Sequence, residues 1–156
     1  MADSTPQPRV VVGVDGSEPS KRALEWGRFV ADAMHASLEA VSVWHVPATA
    51  AMAAVAPLDL DLDGYTARAL HAAVTEVLTD EPDVPVTEVV GQGSAAQVLL
   101  ERSREARLLI VGSRGHGGFV GLMLGSVSSA CAEHAQCPVL VIHGDTPPPP
   151  VASAPR

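Results

Sequence analysis

The sequence has little of several residue classes, and each shortage excludes a class of protein. Aromatic residues make up only 3% of the 156 residues, so a core must be built from Val, Leu, Ala and Ile. Such a core favours buried parallel strands and closely packed helices. Two cysteines, Cys131 and Cys137, are too few for a disulfide scaffold or for a metal site built from cysteine. We therefore expect two reduced, mostly buried thiols.

Positive charge is also scarce, because the chain has 10 Lys and Arg residues but 18 Asp and Glu residues, which gives a net charge of −8. Duplex nucleic acid and anionic membranes both require a positive field, so neither is an expected partner. No apolar run is long enough to span a bilayer. The first residues lack the basic and then apolar pattern of an export signal. We expect a cytoplasmic protein.

What is present indicates one globular domain, since 47% of the residues are apolar and 18% are charged. Short β-branched runs alternate with helical patterns, which predicts right-handed crossovers and a mainly parallel sheet. Residues 48–63 show no clear period, and we interpret them as an irregular excursion. The predicted domain covers residues 9–143, between a flexible tail at 1–8 and a proline-rich, disordered tail at 144–156. The predicted strands are 10–14, 40–46, 85–90, 108–111 and 138–142, and the predicted helices follow Ser17, cover 65–78, follow Ser94 to about residue 105, and begin at Ser126.

A glycine-rich loop after the fourth strand carries the strongest functional signal. Gly112, Gly115 and Gly125-Ser126 follow the spacing G-x2-G-x9-G-S. Glycines let backbone N–H groups approach an anion closely, and a helix that begins at Ser126 adds its unsatisfied donors and positive dipole end. Arg114 and His116 can add positive charge. The spacing differs from a P-loop and from the Rossmann fingerprint. The alternative is a mobile surface loop, but so many glycines before a helix favour a phosphate site.

Asp15 ends the first strand, and it meets Gly112 if the first and fourth strands are neighbours. Its carboxylate can accept hydrogen bonds from ribose hydroxyls or help hold Mg²⁺ on phosphates. The alternative is a turn aspartate that stabilises its own backbone. The glycine loop is what favours the ligand role.

These motifs resemble those of the universal stress proteins over residues 9–143. Residues 12–17 (VGVDGS) are similar to that family's opening strand and turn, the glycine spacing matches its ATP-binding signature, and residues 137–142 (CPVLVI) are similar to its closing strand. The resemblance implies a Rossmann-like α/β fold, with a five-stranded parallel sheet of order 3-2-1-4-5 and helices on both faces. It also implies a homodimer formed through the last strand, at Val139, Leu140, Val141 and Ile142.

The resemblance implies an ATP site, and it assigns roles to the matching positions of this sequence. Gly13, Val14 and Asp15 would line the adenosine end, and the backbone of Val46 would contact the adenine. Val111 and Gly112 would border the nucleoside, while Ser128 would supply a further hydroxyl. The phosphates would lie against Arg114, Gly115, His116, Gly125, Ser126 and Val127.

Three classes of function remain open. The leading one is an ATP-binding sensor or switch of the stress response. The second is a weak ATPase, although its base candidates are only His116 in the loop and His45 near the adenine end, and no nucleophile–base–acid set accompanies them. The third is a nucleotide-free interaction module that works through its last strand. A relative that prefers cyclic AMP is a further alternative within the first class.

Overall fold

The computed structural model describes residues 7–46, 61–79, 84–115 and 123–150. Strands and helices alternate along these residues as the sequence predicts. The elements are β1 (Arg9–Gly13), α1 (Glu18–Ala33), β2 (Ser37–Trp44), α2 (Leu62–Val77), β3 (Val86–Gln92), α3 (Ala95–Arg102), β4 (Leu108–Gly112), α4 (Ser126–His134) and β5 (Val139–Ile142).

The five strands form one parallel sheet of order β3-β2-β1-β4-β5, which confirms the order that the resemblance implies. In the centre, Val11 of β1 pairs with Glu39 of β2 on one side and with Leu109 of β4 on the other. The chain runs from β1 outward to β2 and β3, and then returns to the other side of β1 to form β4. Strand order therefore reverses between β1 and β4, and ligands of such sheets bind beyond the carboxyl ends at this point.

The core lies on both faces of the sheet because the central strands are apolar on both. Val10 and Val12 pack with residues of α1 and α2, whereas Val11 packs on the opposite face with Leu99 of α3 and Cys131 of α4. All three valines are fully buried. Two helices on each face explain why the β-branched strands carry so few polar positions.

Side-chain caps set two of the predicted helix starts. The Ser17 hydroxyl accepts the Ser20 N–H at the start of α1, and the Ser94 hydroxyl accepts the Gln97 N–H at the start of α3. Both predicted caps are confirmed. Serine at this position satisfies a backbone donor that has no partner within the helix.

Two predicted helix boundaries were wrong. We expected an irregular segment through residue 63, but α2 begins at Leu62 because the Asp61 carboxylate accepts the Gly64 N–H at 2.8 Å. The rest of that segment, residues 48–60, lies outside the described residues. Helix α3 ends at Arg102, three residues before the expected end. Ser103 is its C-cap, and the Ser103 hydroxyl donates to the Leu100 carbonyl at 3.1 Å.

A buried ion pair fixes α3 to the amino end of the sheet. Glu39 is only 4% exposed, and its two carboxylate oxygens accept the Nε–H and Nη2–H of Arg102, each at 2.8 Å. These hydrogen bonds raise the pKa of the Arg102 guanidinium. Arg9 adds a second cation, with its Nε 3.7 Å from the same carboxylate. This network lies at the end of the sheet opposite the glycine loop.

The edges of the described sheet are β3 and β5. After β5, the Thr146 carbonyl accepts the indole N–H of Trp26 on α1 at 3.0 Å, so the chain runs back toward that helix. No helix in the described parts of the chain has both the length and the apolar character that crossing a membrane requires.

Candidate functional site

A cavity of about 520 Å³ opens beyond the carboxyl ends of β1 and β4, where strand order reverses. It brings together residues of the first strand, the glycine loop and the start of α4, which are far apart in sequence. The predicted site residues in its lining are Gly13, Val14, Asp15, Val111, Gly112, Arg114, Gly115, Gly125, Ser126, Val127 and Ser128.

One described residue of the predicted site, Val46, is not part of this lining. Val46 lies past the end of β2 and is 51% exposed, while its neighbour His45 faces the cavity instead. His116 lies outside the described residues, so its expected place beside the phosphates stays a prediction.

Six further residues line the cavity without having been predicted as part of the site. The pattern of β2 held a usable signal, because Val41 and Val43 alternate on the face that α3 covers. The positions of Leu99, Ala95 and Ser20 depend instead on how α1 and α3 dock, which the sequence pattern does not reveal. The six are Ser20, Val41, Val43, His45, Ala95 and Leu99.

Asp15 is held in place by the first turn of α1. Its Oδ1 accepts the backbone N–H of Ser17 at 3.0 Å and also the Ser17 hydroxyl. Its own N–H donates to the hydroxyl of Ser20 at 3.3 Å. Asp15 thus stabilises its local backbone, as the alternative interpretation expects, and it also lines the cavity.

The other carboxylate oxygen of Asp15 lies against Gly115 of the glycine loop. A Cβ atom built on Gly115 would stand closer than 3.0 Å to Asp15 Oδ2, a separation that real Cβ atoms essentially never show. Gly112 is equally confined, since a Cβ there would lie 2.9 Å from the carbonyl carbon of Pro19. The loop therefore packs closely against Asp15 and against Pro19 of α1. A side chain at position 112 would meet backbone atoms, whereas one at position 115 would displace the Asp15 carboxylate.

The amino end of α4 presents backbone donors to the cavity. Gly125 is its N-cap, and among the described residues no side chain caps this end of the helix. Helix α4 begins at Ser126, as the sequence predicts, and the Ser126 side chain is exposed. The Ser129 N–H donates to the Gly125 carbonyl at 2.9 Å. The donors that precede Ser129 lie outside the regular helical ladder, where an anion can accept them.

The part of the cavity beside β2 and α3 is apolar. Val41 is buried there next to Val111 of β4, and Val43 and Leu99 complete the apolar surface. The ionisable side chains of the described lining are Asp15, His45 and Arg114. Within the described ranges, no three His, Cys, Asp or Glu residues are grouped closely enough to hold a metal ion by themselves. The cavity thus has an apolar half and a half rich in N–H donors.

Residues 8–143 match the Universal stress protein family. The chain belongs to this family. Among curated universal stress proteins, one from Mycobacterium tuberculosis is 35% identical over 146 residues, covering 86% of this chain and 45% of its own. One from Mycolicibacterium smegmatis is 30% identical over 152 residues, covering 93% and 51%. The chain spans about half the length of these relatives.

Solved structures of the family share the fold. A universal stress protein solved in complex with cAMP aligns with a TM-score of 0.61 and 27% identity, covering 88% of this chain and 97% of its own. A universal stress protein from Archaeoglobus fulgidus aligns with a TM-score of 0.66, covering 87% and 93%. Its identity of 20% supports the fold alone.

Proposed function

We propose that this universal stress protein binds ATP in the cavity between β1, β4 and α4, and acts as a nucleotide-dependent switch of the stress response. The observation that carries the proposal is that the glycines of the predicted loop and the amino end of α4 line the same cavity. Gly112, Gly115 and Gly125 all line one cavity at the strand-order reversal. This placement is the usual one for nucleotide ligands of open parallel sheets.

In this proposal the phosphates occupy the half rich in donors. The N–H groups of Ser126 and Val127 and the positive end of the α4 dipole stabilise negative charge there. The exposed Ser126 hydroxyl is available as a further donor, and Arg114 is the cation of the described lining. Because Asp15 is negative and abuts Gly115, a triphosphate in this place favours Mg²⁺ as a counter-ion between carboxylate and phosphate.

The nucleoside occupies the apolar half. A planar purine fits a surface formed by Val41, Val43 and Leu99, since burying apolar area against a ring is favourable. Asp15 lines the same cavity, where its carboxylate can accept a ribose hydroxyl. The relative solved with cAMP is 27% identical to this chain, which supports an adenine nucleotide as the ligand class. Cyclic AMP is the second candidate for the same reason.

We do not propose a catalytic cycle beyond slow hydrolysis of ATP. Of the two base candidates of the sequence, only His45 lies in the described lining, on the side of the cavity that we assign to the nucleoside. Turnover faster than about one per minute would instead favour an enzyme. We also propose a homodimer through β5, whose residues Val139, Leu140 and Val141 are half-buried at the sheet edge.

Titration calorimetry with ATP, cAMP and GTP tests the nucleotide proposal. The wild type should bind ATP saturably, at about one per chain. The variant Gly115→Asp should lose binding, because it sets a second carboxylate beside Asp15 and the phosphates. The matched control is Gly144→Asp, which adds the same charge outside the cavity lining, at a glycine with φ +64 and open space around it. Normal ATP binding by folded Gly115→Asp would show that the site is misplaced.

A further inference from the structure

The carbonyl of Ser113 is where the two ends of the glycine loop meet. Ser113 follows β4, and its N–H donates to the carbonyl of Ile142 in β5 at 2.8 Å, which holds the residue to the sheet. Its own carbonyl accepts the Gly125 N–H at 2.7 Å and the Ser128 hydroxyl at 3.0 Å. Gly125 and Ser128, which lie 12 and 15 positions further along the chain, therefore donate to a carbonyl whose residue is hydrogen-bonded to the sheet.

Ser128 is buried, with 2% exposure, and its hydroxyl lies between two carbonyl oxygens. Ser113 O and Gly125 O are each 3.0 Å from its Oγ. A hydroxyl has one hydrogen to donate, so these two carbonyls share it. The bond to Ser113 crosses the base of the loop, whereas the bond to Gly125 stays within the first turn of α4. The Ser128 side chain thus links the residue that follows β4 to the end of the glycine loop and to the first turn of α4.

We infer that Ser128 is a positioning residue: its hydroxyl holds the two ends of the glycine loop together, at Ser113 and Gly125, in the ligand-free protein and so prepares the donors of α4 for phosphate. The inference rests on the proposed function for its effect on ligand. It differs from the family-based expectation that Ser128 contacts the ligand, because the hydrogen of this hydroxyl is already committed to the backbone.

A purely structural role is a poor explanation for this hydroxyl. When it is removed, Ser113 O keeps the Gly125 N–H, and Gly125 O keeps the Ser129 N–H at 2.9 Å. Both carbonyls therefore stay satisfied, and the loss of fold stability should be small. What changes is how often the two loop ends separate, and the apparent affinity falls with the fraction of closed loop.

The test compares Ser128→Ala with Ser129→Ala. Ser129 is the next residue of α4, carries the same side chain and is absent from the cavity lining, so it is a matched control. Ser128→Ala should weaken ATP binding by up to about tenfold, which is the worth of one net hydrogen bond and the limit that separation of the two loop ends can reach. Adenosine binding should stay unchanged, because adenosine has no phosphate. In ligand-free protein, the Gly125 amide should exchange its hydrogen faster in Ser128→Ala only.

Each outcome decides between distinct roles. Weaker ATP binding with unchanged Gly125 exchange would mean that the hydroxyl touches the ligand, which overturns the inference, as would unchanged affinity. If the wild type binds no ATP, the proposed function fails, yet the Gly125 exchange of ligand-free protein still tests the closed loop, and unchanged exchange overturns it. Should Ser128→Ala not fold, Ser128→Cys keeps similar volume with a weaker donor and should show the same two effects.

Discussion

Replacing Gly115 by alanine probes the contact between the glycine loop and Asp15, which follows β1. The added methyl group would stand closer than 3.0 Å to Asp15 Oδ2, so the carboxylate must rotate away. Rotation breaks the bonds that Oδ1 accepts from the N–H and hydroxyl of Ser17. Hydrogen bonds to charged groups contribute about 1.5–3 kcal/mol, but Asp15 is exposed to solvent. We therefore expect the free energy of unfolding to fall by only about 1 kcal/mol.

The effect of Gly115→Ala on ligand binding should be larger than its effect on stability. The methyl group occupies the space beside the loop N–H groups, and it moves the carboxylate that we assign to ribose or Mg²⁺. We expect at least a tenfold loss of ATP affinity, or about 1.4 kcal/mol, measured by calorimetry beside urea unfolding of the same samples. Both losses follow from one displaced side chain.

A double-mutant cycle with Asp15→Ala isolates that contact. Without the carboxylate the methyl group meets no other described atom within 4 Å, so Gly115→Ala should cost about 1 kcal/mol less stability in the Asp15→Ala background. Gly125→Ala serves as the steric control, because its added Cβ would make only an ordinary contact, 3.5 Å from Ser113 O. The stability cost of this change should not depend on Asp15. An equal cost of Gly115→Ala in both backgrounds would refute the contact between Asp15 and the loop.

Two further predictions concern stability and thiol chemistry away from the loop. Glu39→Gln should lower the free energy of unfolding by about 1–3 kcal/mol, because it leaves the partly exposed Arg102 without its buried counter-charge. Its ATP affinity should not change. As a control, Glu88→Gln at an exposed position should stay within about 0.5 kcal/mol of the wild-type stability. Burial raises the pKa of Cys131 from 9.0 to about 11, so a thiol reagent at about pH 8 should label the partly exposed Cys137 in native protein and Cys131 only on unfolding. The Cys131 thiol ionises at lower pH in the unfolded chain than in the folded protein, so the free energy of unfolding should fall as pH rises from about 9 to 11. Cys131→Ala should remove that loss. Rapid labelling of both thiols in native protein would contradict the burial of Cys131.

The elements that the sequence predicts well are those with a local cause. Buried valines mark β1 on both faces, and Ser17 and Ser94 each sit one residue before a helix that they cap. The glycine spacing points to the cavity because Gly112 and Gly115 are needed where the backbone meets Pro19 and Asp15. In each case the residue type is demanded by its immediate geometry.

What the sequence does not predict depends on docking. Leu99 and Val43 look like ordinary core residues, and only the placement of α3 over β2 brings them to the cavity. The early start of α2 is an exception with a local cause: the Asp61 carboxylate accepts the Gly64 N–H and caps the helix.

The most direct test of the account is to ask what nucleotide the protein carries and binds. Freshly purified protein would be denatured, any released nucleotide identified by chromatography, and the emptied and refolded chain titrated with ATP and cAMP. We predict ATP at about one per chain, either released or bound on titration, with Gly115→Asp carrying and binding none. Wild-type protein that releases no nucleotide and binds neither ATP nor cAMP would contradict the proposed site.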